Sequence, residues 1–201
     1  MFSGIVQAVG RIDEVADLGF GKRLRIVAPA LGLDDVRIGD SIAVNGACMT
    51  VTETAADAFA IDVSAESLSK TAGLDRRGLV NLEKSLRLGD RIEGHLVSGH
   101  VDGTGVVERF ERRGESWLLE IAAPAALARF FAGKGAVTVN GVSLTVNTVV
   151  DRAGDCLIGM NLIPHTLSVT TLKALAPGER VNLEADLIAR HVERLLALRG
   201  G

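Results

Sequence analysis

Residues 41–53 read S-I-A-V-N-G-A-C-M-T-V-T-E, and residues 136–148 read A-V-T-V-N-G-V-S-L-T-V-N-T. In both stretches a β-rich run meets Asn-Gly, and a second β-rich run containing Thr follows. Asn and Gly both tolerate positive φ, so Asn-Gly between such runs predicts a tight two-residue hairpin. The offset between the stretches is 95 residues, Asn45 against Asn140. One position differs in chemistry: Cys48 in the first stretch faces Ser143 in the second.

The same offset holds beyond the hairpin. Ser3-Gly4-Ile5-Val6 matches Ser98-Gly99-His100-Val101, Gly10 matches Gly105, and residues 24–30 match residues 119–125. After a short gap, residues 63–68 align with residues 162–167, and both halves close on V-N-L-E, at 80–83 and 181–184. One offset kept over this length implies two copies of one domain, each near the common size of a self-contained unit. The period is too long for a solenoid.

The chain has 201 residues, 47% of them apolar, and a net charge of −3 with both signs mixed throughout. No basic patch points to nucleic acid or to an anionic membrane surface. No apolar run approaches the roughly 20 residues of a membrane helix, and the opening residues lack the pattern of a signal peptide. Two cysteines, Cys48 and Cys156, make neither a disulfide framework nor a metal motif, so a reduced, cytoplasmic protein is expected. Aromatic residues are 3% of the chain, with no Tyr and one Trp. A flat ligand would therefore be held by backbone groups, hydroxyls and small apolar side chains, not by a cage of rings.

Strand-like runs fall at 4–9, 22–27, 41–44, 48–52 and 58–63, with a sixth at either 91–93 or 80–82, and the second half offers the same set. Many short strands at regular spacing predict a small barrel or sandwich in each half. Short helices are expected after Pro29 and Pro124 and after Glu66 and His165. Residues 187–198, L-I-A-R-H-V-E-R-L-L-A-L, have no counterpart in the repeat. Ile188, Val192, Leu195 and Leu196 form one stripe of an amphipathic helix. So short a helix must pack against something, either its own barrel or copies of itself.

Four positions carry candidate chemistry. Cys48 and Thr50 lie two apart on a strand and share a face, as do Ser143 and Thr145. They are either pocket groups or ordinary strand residues. His100 replaces the aliphatic Ile5 of the first half, which suggests proton handling unless it is a plain surface imidazole. Asp186 replaces Ser85 of the first half and also suits the N-cap of the final helix. His95 and His100, five apart, would face opposite sides of a shared strand, so no metal site is expected. Gly103-Thr104-Gly105 lacks the rest of a dinucleotide fingerprint.

These residues are similar to the riboflavin synthase family. The opening M-F-S-G-I-V resembles the family's start, with Ser3 where Thr is commoner. Residues 94–105, G-H-L-V-S-G-H-V-D-G-T-G, resemble its central signature, as do 45–52, 141–146, 162–167 and V-E-R-L-L at 192–196. Met49 stands where Leu is usual and Ala47 where Val is common.

The resemblance implies an all-β chain of two tandem six-stranded antiparallel Greek-key barrels, at 1–97 and 98–186, plus a C-terminal oligomerisation helix at 187–201. It implies dismutation of two 6,7-dimethyl-8-ribityllumazine molecules by four-carbon transfer, giving riboflavin and 5-amino-6-(ribitylamino)uracil, with no metal or redox cofactor. It implies a homotrimer whose active site lies between the first barrel of one subunit and the second of the next. Lumazine synthase is a further candidate partner. A non-catalytic lumazine- or flavin-binding antenna protein built on the same repeat is the alternative.

By the same resemblance, first-barrel contacts fall on Gly4, Ile5, Val6, Ser41, Cys48, Met49, Thr50, Asp62, Val63, Ser64, Ala65, Glu66 and Ser67. Second-barrel contacts fall on Gly99, His100, Val101, Lys134, Ser143, Leu144, Thr145, Asn161, Leu162, Ile163, Pro164, His165 and Thr166. Cys48, His100, Ser143 and Asp186 match positions linked to catalysis. Which barrel takes donor or acceptor, and which group is the base, stays open.

Overall fold

The computed structural model describes residues 1–198, so residues 199–201 of the expected final segment lie outside the described residues. The first repeat folds into β1 (Ala8–Asp17), β2 (Gly21–Val27), β3 (Ser41–Val44), β4 (Ala47–Thr54), β5 (Ala58–Ser64), α1 (Ala65–Lys70) and β6 (Gly78–Lys84). The second folds into β7 (Gly103–Arg113), β8 (Ser116–Pro124), β9 (Ala136–Val139), β10 (Val142–Asp151), β11 (Asp155–Leu162), α2 (Pro164–Val169) and β12 (Arg180–Ala185). A final helix, α3 (Leu187–Ala197), follows. Short 3-10 turns after Ala28 and Pro124 replace the helices expected there.

Each set closes into an antiparallel barrel with one strand order, β1-β2-β5-β4-β3-β6 and its equivalent β7-β8-β11-β10-β9-β12. Period-two alternation drives closure: Leu24 and Ile26 on β2, and Leu119 and Ile121 on β8, are fully buried while their neighbours face outward. Burying each such side chain stabilises by about 1.5–3 kcal/mol. A bulge recurs at matching places, opposite β2 after Ile12 and opposite β8 after Val107, and tightens the curvature in each barrel.

Both Asn-Gly turns form as expected, with φ of 47° and 83° at Asn45 and Gly46 and 48° and 79° at Asn140 and Gly141. The turns also touch each other. A Cβ on Gly46 would lie 2.7 Å from the Gly141 nitrogen, and one on Gly141 2.8 Å from the Gly46 nitrogen. Glycine is thus required here for approach as well as for φ.

The repeated V-N-L-E explains how the barrels join. Val80 and Leu82, and Val181 and Leu183, point into the cores; Asn and Glu point outward yet are buried. Asn81 Nδ2 donates to the Asn140 carbonyl and Asn182 Nδ2 to the Asn45 carbonyl, both at 2.9 Å. Asn45 Oδ1 accepts from the Asn81 amide and Asn140 Oδ1 from the Asn182 amide, both at 2.8 Å. These exchanges satisfy polar groups that would otherwise be costly inside the interface.

One expectation needs correction and one alternative is decided. Residues 4–9 do not form one strand: β1 begins at Ala8, because the amides of Ser3 and Gly4 go to a carboxylate instead of a ladder. The sixth strand is β6, so 91–93 is not one. Residues 94–102 are irregular as well, apart from an isolated bridge between Phe2 and Val97, so no strand spans His95 and His100.

Candidate active site

The segments leading into the two repeats cross over. The Gly4 carbonyl accepts from the Ser143 amide of the second barrel, and the Gly99 carbonyl accepts from the Cys48 amide of the first, both at 2.7 Å. Val6 packs against the second core and Val101 against the first. The sequence-based assignment placed Gly4, Ile5 and Val6 at the first barrel and Gly99, His100 and Val101 at the second. The structure reverses it, because each leading segment crosses to the partner barrel before its own first strand begins. Gly4 and Gly99 have φ of 77° and 78°, and a Cβ on either would sit 2.7 Å from the Cβ of Ser143 or Cys48.

The first pocket lies on the outer face of β4. Cys48 and Thr50 share that face, and Ser41 lies directly opposite Thr50 on β3. A cavity of about 190 Å³ is lined by Cys48, Gly99, His100, Val101, Glu66 and Ser67, joined by Lys70 and Thr71. Ser64 caps α1 by accepting from the Ser67 amide at 3.1 Å, which holds that wall in place.

The equivalent face of β10 carries Ser143 in place of Cys48 and a different neighbour. His95 Nδ1 lies 2.8 Å from Ser143 Oγ, and Nε2 of the same ring is buried without a partner. Burial pushes His95 below the ordinary histidine value, against the pull of the nearby Asp186 and Glu184 charges. A neutral ring held against a hydroxyl is a base poised to take the Ser143 proton or a donor poised to hold its oxygen. Gly94 makes room: a Cβ there would lie 2.8 Å from Ser143 Cβ. Sequence reasoning considered His95 only as a metal ligand; its position in the linker, outside the repeat alignment, was the signal. Among the described residues no His, Cys, Asp and Glu group is arranged for a metal.

Other predicted residues separate into facing and non-facing. Val63, Leu144 and Leu162 join the cores, as alternation requires, and Met49 belongs to the first core while also lining the first cavity. Asp62 is gripped by Arg23 through paired bonds of 2.7 and 2.9 Å, which hold its carboxyl below the usual range. Ala65, Asn161, Ile163, Pro164 and His165 are exposed around the starts of α1 and α2, and Thr166 is half-buried. Thr145 is exposed on the Ser143 face. Lys134 adopts φ 69°, where the first repeat has Gly39 at 94°, and its amide donates to the Val146 carbonyl at 2.7 Å. Asp186 does cap α3, accepting from the Ile188 amide at 2.8 Å, and its charge also acts on His95. Cys156 is a core residue whose thiol burial pushes up to about 11.

Helix α3 docks by its polar face. Arg190 pairs with Asp102 at 2.5 Å and Glu193 with Arg129 at 3.2 Å, while both arginines lie over the Phe130 ring. Ile188, Val192, Leu195 and Leu196 point outward, with Ile188 and Leu195 more than 60% exposed. The apolar stripe is thus not used on its own barrel.

Paired barrels with crossed lips and a cavity on the outer face of the first fit a class of small-ligand-binding double barrels, and the family model for the lumazine binding domain matches the chain twice, at residues 3–85 and 98–186. The chain is 43% identical to the riboflavin synthase of Mycobacterium tuberculosis, covering all of both chains, and 40% identical to that of Photobacterium phosphoreum, covering 98% of this chain and 89% of the relative. It belongs to the riboflavin synthase family. Among solved structures, LumP complexed with riboflavin superposes with a TM-score of 0.81 at 27% identity, over 92% of this chain and 99% of that one. LumP complexed with 6,7-dimethyl-8-(1'-D-ribityl) lumazine superposes at 0.79 with 25% identity, over the same shares.

Proposed function

We propose that the chain catalyses riboflavin synthesis by joining two molecules of 6,7-dimethyl-8-ribityllumazine. A four-carbon unit passes from one to the other, and 5-amino-6-(ribitylamino)uracil leaves. The observation that carries this is one fold built twice with unlike polar groups: Cys48 with His100 in one pocket, Ser143 with His95 in the other. A single substrate used in two roles accounts for both the likeness and the difference.

The reaction needs a proton removed from an acidic methyl of one lumazine and a nucleophile added to the other. The buried, neutral His95 acting through or beside Ser143 suits proton transfer near neutral pH, and the Cys48 thiol and Ser143 hydroxyl are candidate nucleophiles. Holding two flat molecules face to face accounts for much of the remaining acceleration. We take 1–97 and 98–186 as the barrel units, with 187–201 as the assembly segment. The outward stripe of α3 supports a homotrimer in which the first pocket of one subunit faces the second pocket of the next. The two free cysteines suit the cytoplasm.

The test is to mix purified protein with 6,7-dimethyl-8-ribityllumazine and follow riboflavin absorbance and fluorescence. One riboflavin should appear for every two lumazines consumed. Tight binding with no product would leave the chain an antenna-type carrier.

A further inference from the structure

Two buried glutamates have no part in the chemistry described so far beyond the pull of Glu184 on His95. Glu83 on β6 and Glu184 on β12 are 4% and 2% exposed, and no lysine or arginine pairs with either among the described residues. Each carboxylate is instead filled by three donors from a leading segment. Glu83 accepts from the Ser3 amide at 2.7 Å, the Ser3 hydroxyl at 2.8 Å and the Gly4 amide at 3.0 Å. Glu184 accepts from the Ser98 amide at 2.8 Å, the Ser98 hydroxyl at 2.6 Å and the Gly99 amide at 3.0 Å. Bonds to a buried charge are stronger than neutral ones, and replacing one carboxylate oxygen by an amide NH2 would leave the Gly4 or Gly99 amide without its acceptor.

What these clamps hold is the lip of the other barrel's pocket. Glu184 belongs to the second barrel, but the Gly99 it holds bonds the Cys48 amide and leads into His100 over the first cavity. Glu83 belongs to the first barrel, but the Gly4 it holds bonds the Ser143 amide. Register sharpens the contrast. Glu83 lies in one cross-strand row with Ala43 and Cys48 of its own barrel, and Glu184 in one row with Thr138 and Ser143. A merely local effect would therefore couple Glu83 to Cys48.

We propose that Glu83 and Glu184 are positioning residues acting crosswise, each fixing the backbone lip that completes the ligand pocket of the opposite barrel. Neither touches the expected ligand. Glu184 acts on the first pocket through Ser98-Gly99-His100, and Glu83 on the second through Ser3-Gly4-Ile5. The inference rests on the proposed use of both pockets by lumazine, but the clamp itself can be tested without ligand.

The reporter is the Cys48 thiol, which is half-buried beneath Gly99, while Cys156, the other cysteine of the chain, is fully buried. In the full-length protein, Glu184→Gln should speed reaction of Cys48 with a thiol-titrating disulfide by about tenfold, the effect of losing one charge-assisted bond on lip opening. Glu83→Gln should leave that rate within about twofold, since its lip serves the other pocket. With lumazine, both variants should raise KM more than they lower kcat, because they loosen a pocket wall and remove no reacting group. If Glu184→Gln does not fold, Ser98→Ala against Ser3→Ala repeats the comparison with one clamp bond removed. Equal effects of the two glutamates on Cys48, a larger effect from Glu83, or no effect from either would overturn the crosswise clamp. A crosswise thiol result in a protein that makes no riboflavin would keep the clamp and sink the functional reading instead.

Discussion

His95 reaches Ser143 from outside the repeat: its Nδ1 lies 2.8 Å from the serine hydroxyl, whereas among the described residues no histidine hydrogen-bonds the Cys48 thiol. The two pockets are therefore inequivalent in acid–base equipment as well as in the thiol-for-hydroxyl exchange. Burial holds the His95 ring below the ordinary value near 6.5. Between that lowered value and 6.5 the unfolded chain binds more protons than the folded one, so stability falls as pH falls through the window and levels off below it. We expect His95→Gln to flatten the acid side of the stability–pH curve, measured by denaturant unfolding from pH 7 downward. An unchanged curve would mean that His95 is not buried neutral.

Exchanging the groups proposed for catalysis should separate turnover from binding. Cys48→Ser, His100→Gln and Ser143→Ala should each lower kcat, by about 10²–10⁴-fold where a positioned acid–base or nucleophilic group is lost. Ligand affinity should change far less, since one contact among many is altered. Near-normal kcat in all three would reduce these residues to packing and ligand contacts.

Lys134 holds a left-handed conformation that its twin Gly39 adopts without penalty. A non-glycine residue there costs about 1 kcal/mol, so its side chain is retained for something other than the turn. Lys134→Gly should stabilise the protein by up to about 1 kcal/mol in denaturant unfolding while lowering activity. A stabilised variant with full activity would remove Lys134 from the site.

Helix α3 attaches by ion pairs and leaves its apolar stripe outside. Deleting residues 187–201 should turn trimers into monomers in analytical ultracentrifugation, with both barrels still folded by circular dichroism. Activity should collapse if the site spans two subunits. A truncated protein that remains trimeric would refute the assembly role.

Crossed lips also change what an isolated first half can do. A fragment of residues 1–97 retains all six strands of its barrel but ends before Gly99, His100 and Val101, which line its pocket. It should fold yet bind riboflavin more weakly than a fragment extended through residue 102, by about tenfold or more in a fluorescence titration if one wall of contacts is lost. Equal affinities would show that the lip contributes nothing.

The residues around Asn45 and Asn140 determined the repeat, the hairpins and the barrel class without help from the rest of the chain. Positive φ and period-two alternation are local properties of the backbone, and each barrel core is built by the alternation of its own strands. The same alternation already put Cys48 and Thr50 on one face. Only the tertiary structure decided which pocket each lip completes, because Gly4 and Gly99 find their partners through a contact between barrels that no periodicity encodes. It decided for the same reason that His95, beyond the last strand of the first repeat, belongs with Ser143, and that V-N-L-E carries an interface as well as two cores. The helix divides along this line too. Its stripe was legible at helical spacing, but the direction it faces depended on Arg129, Asp102 and Phe130, residues more than fifty positions away that capture its charged face first.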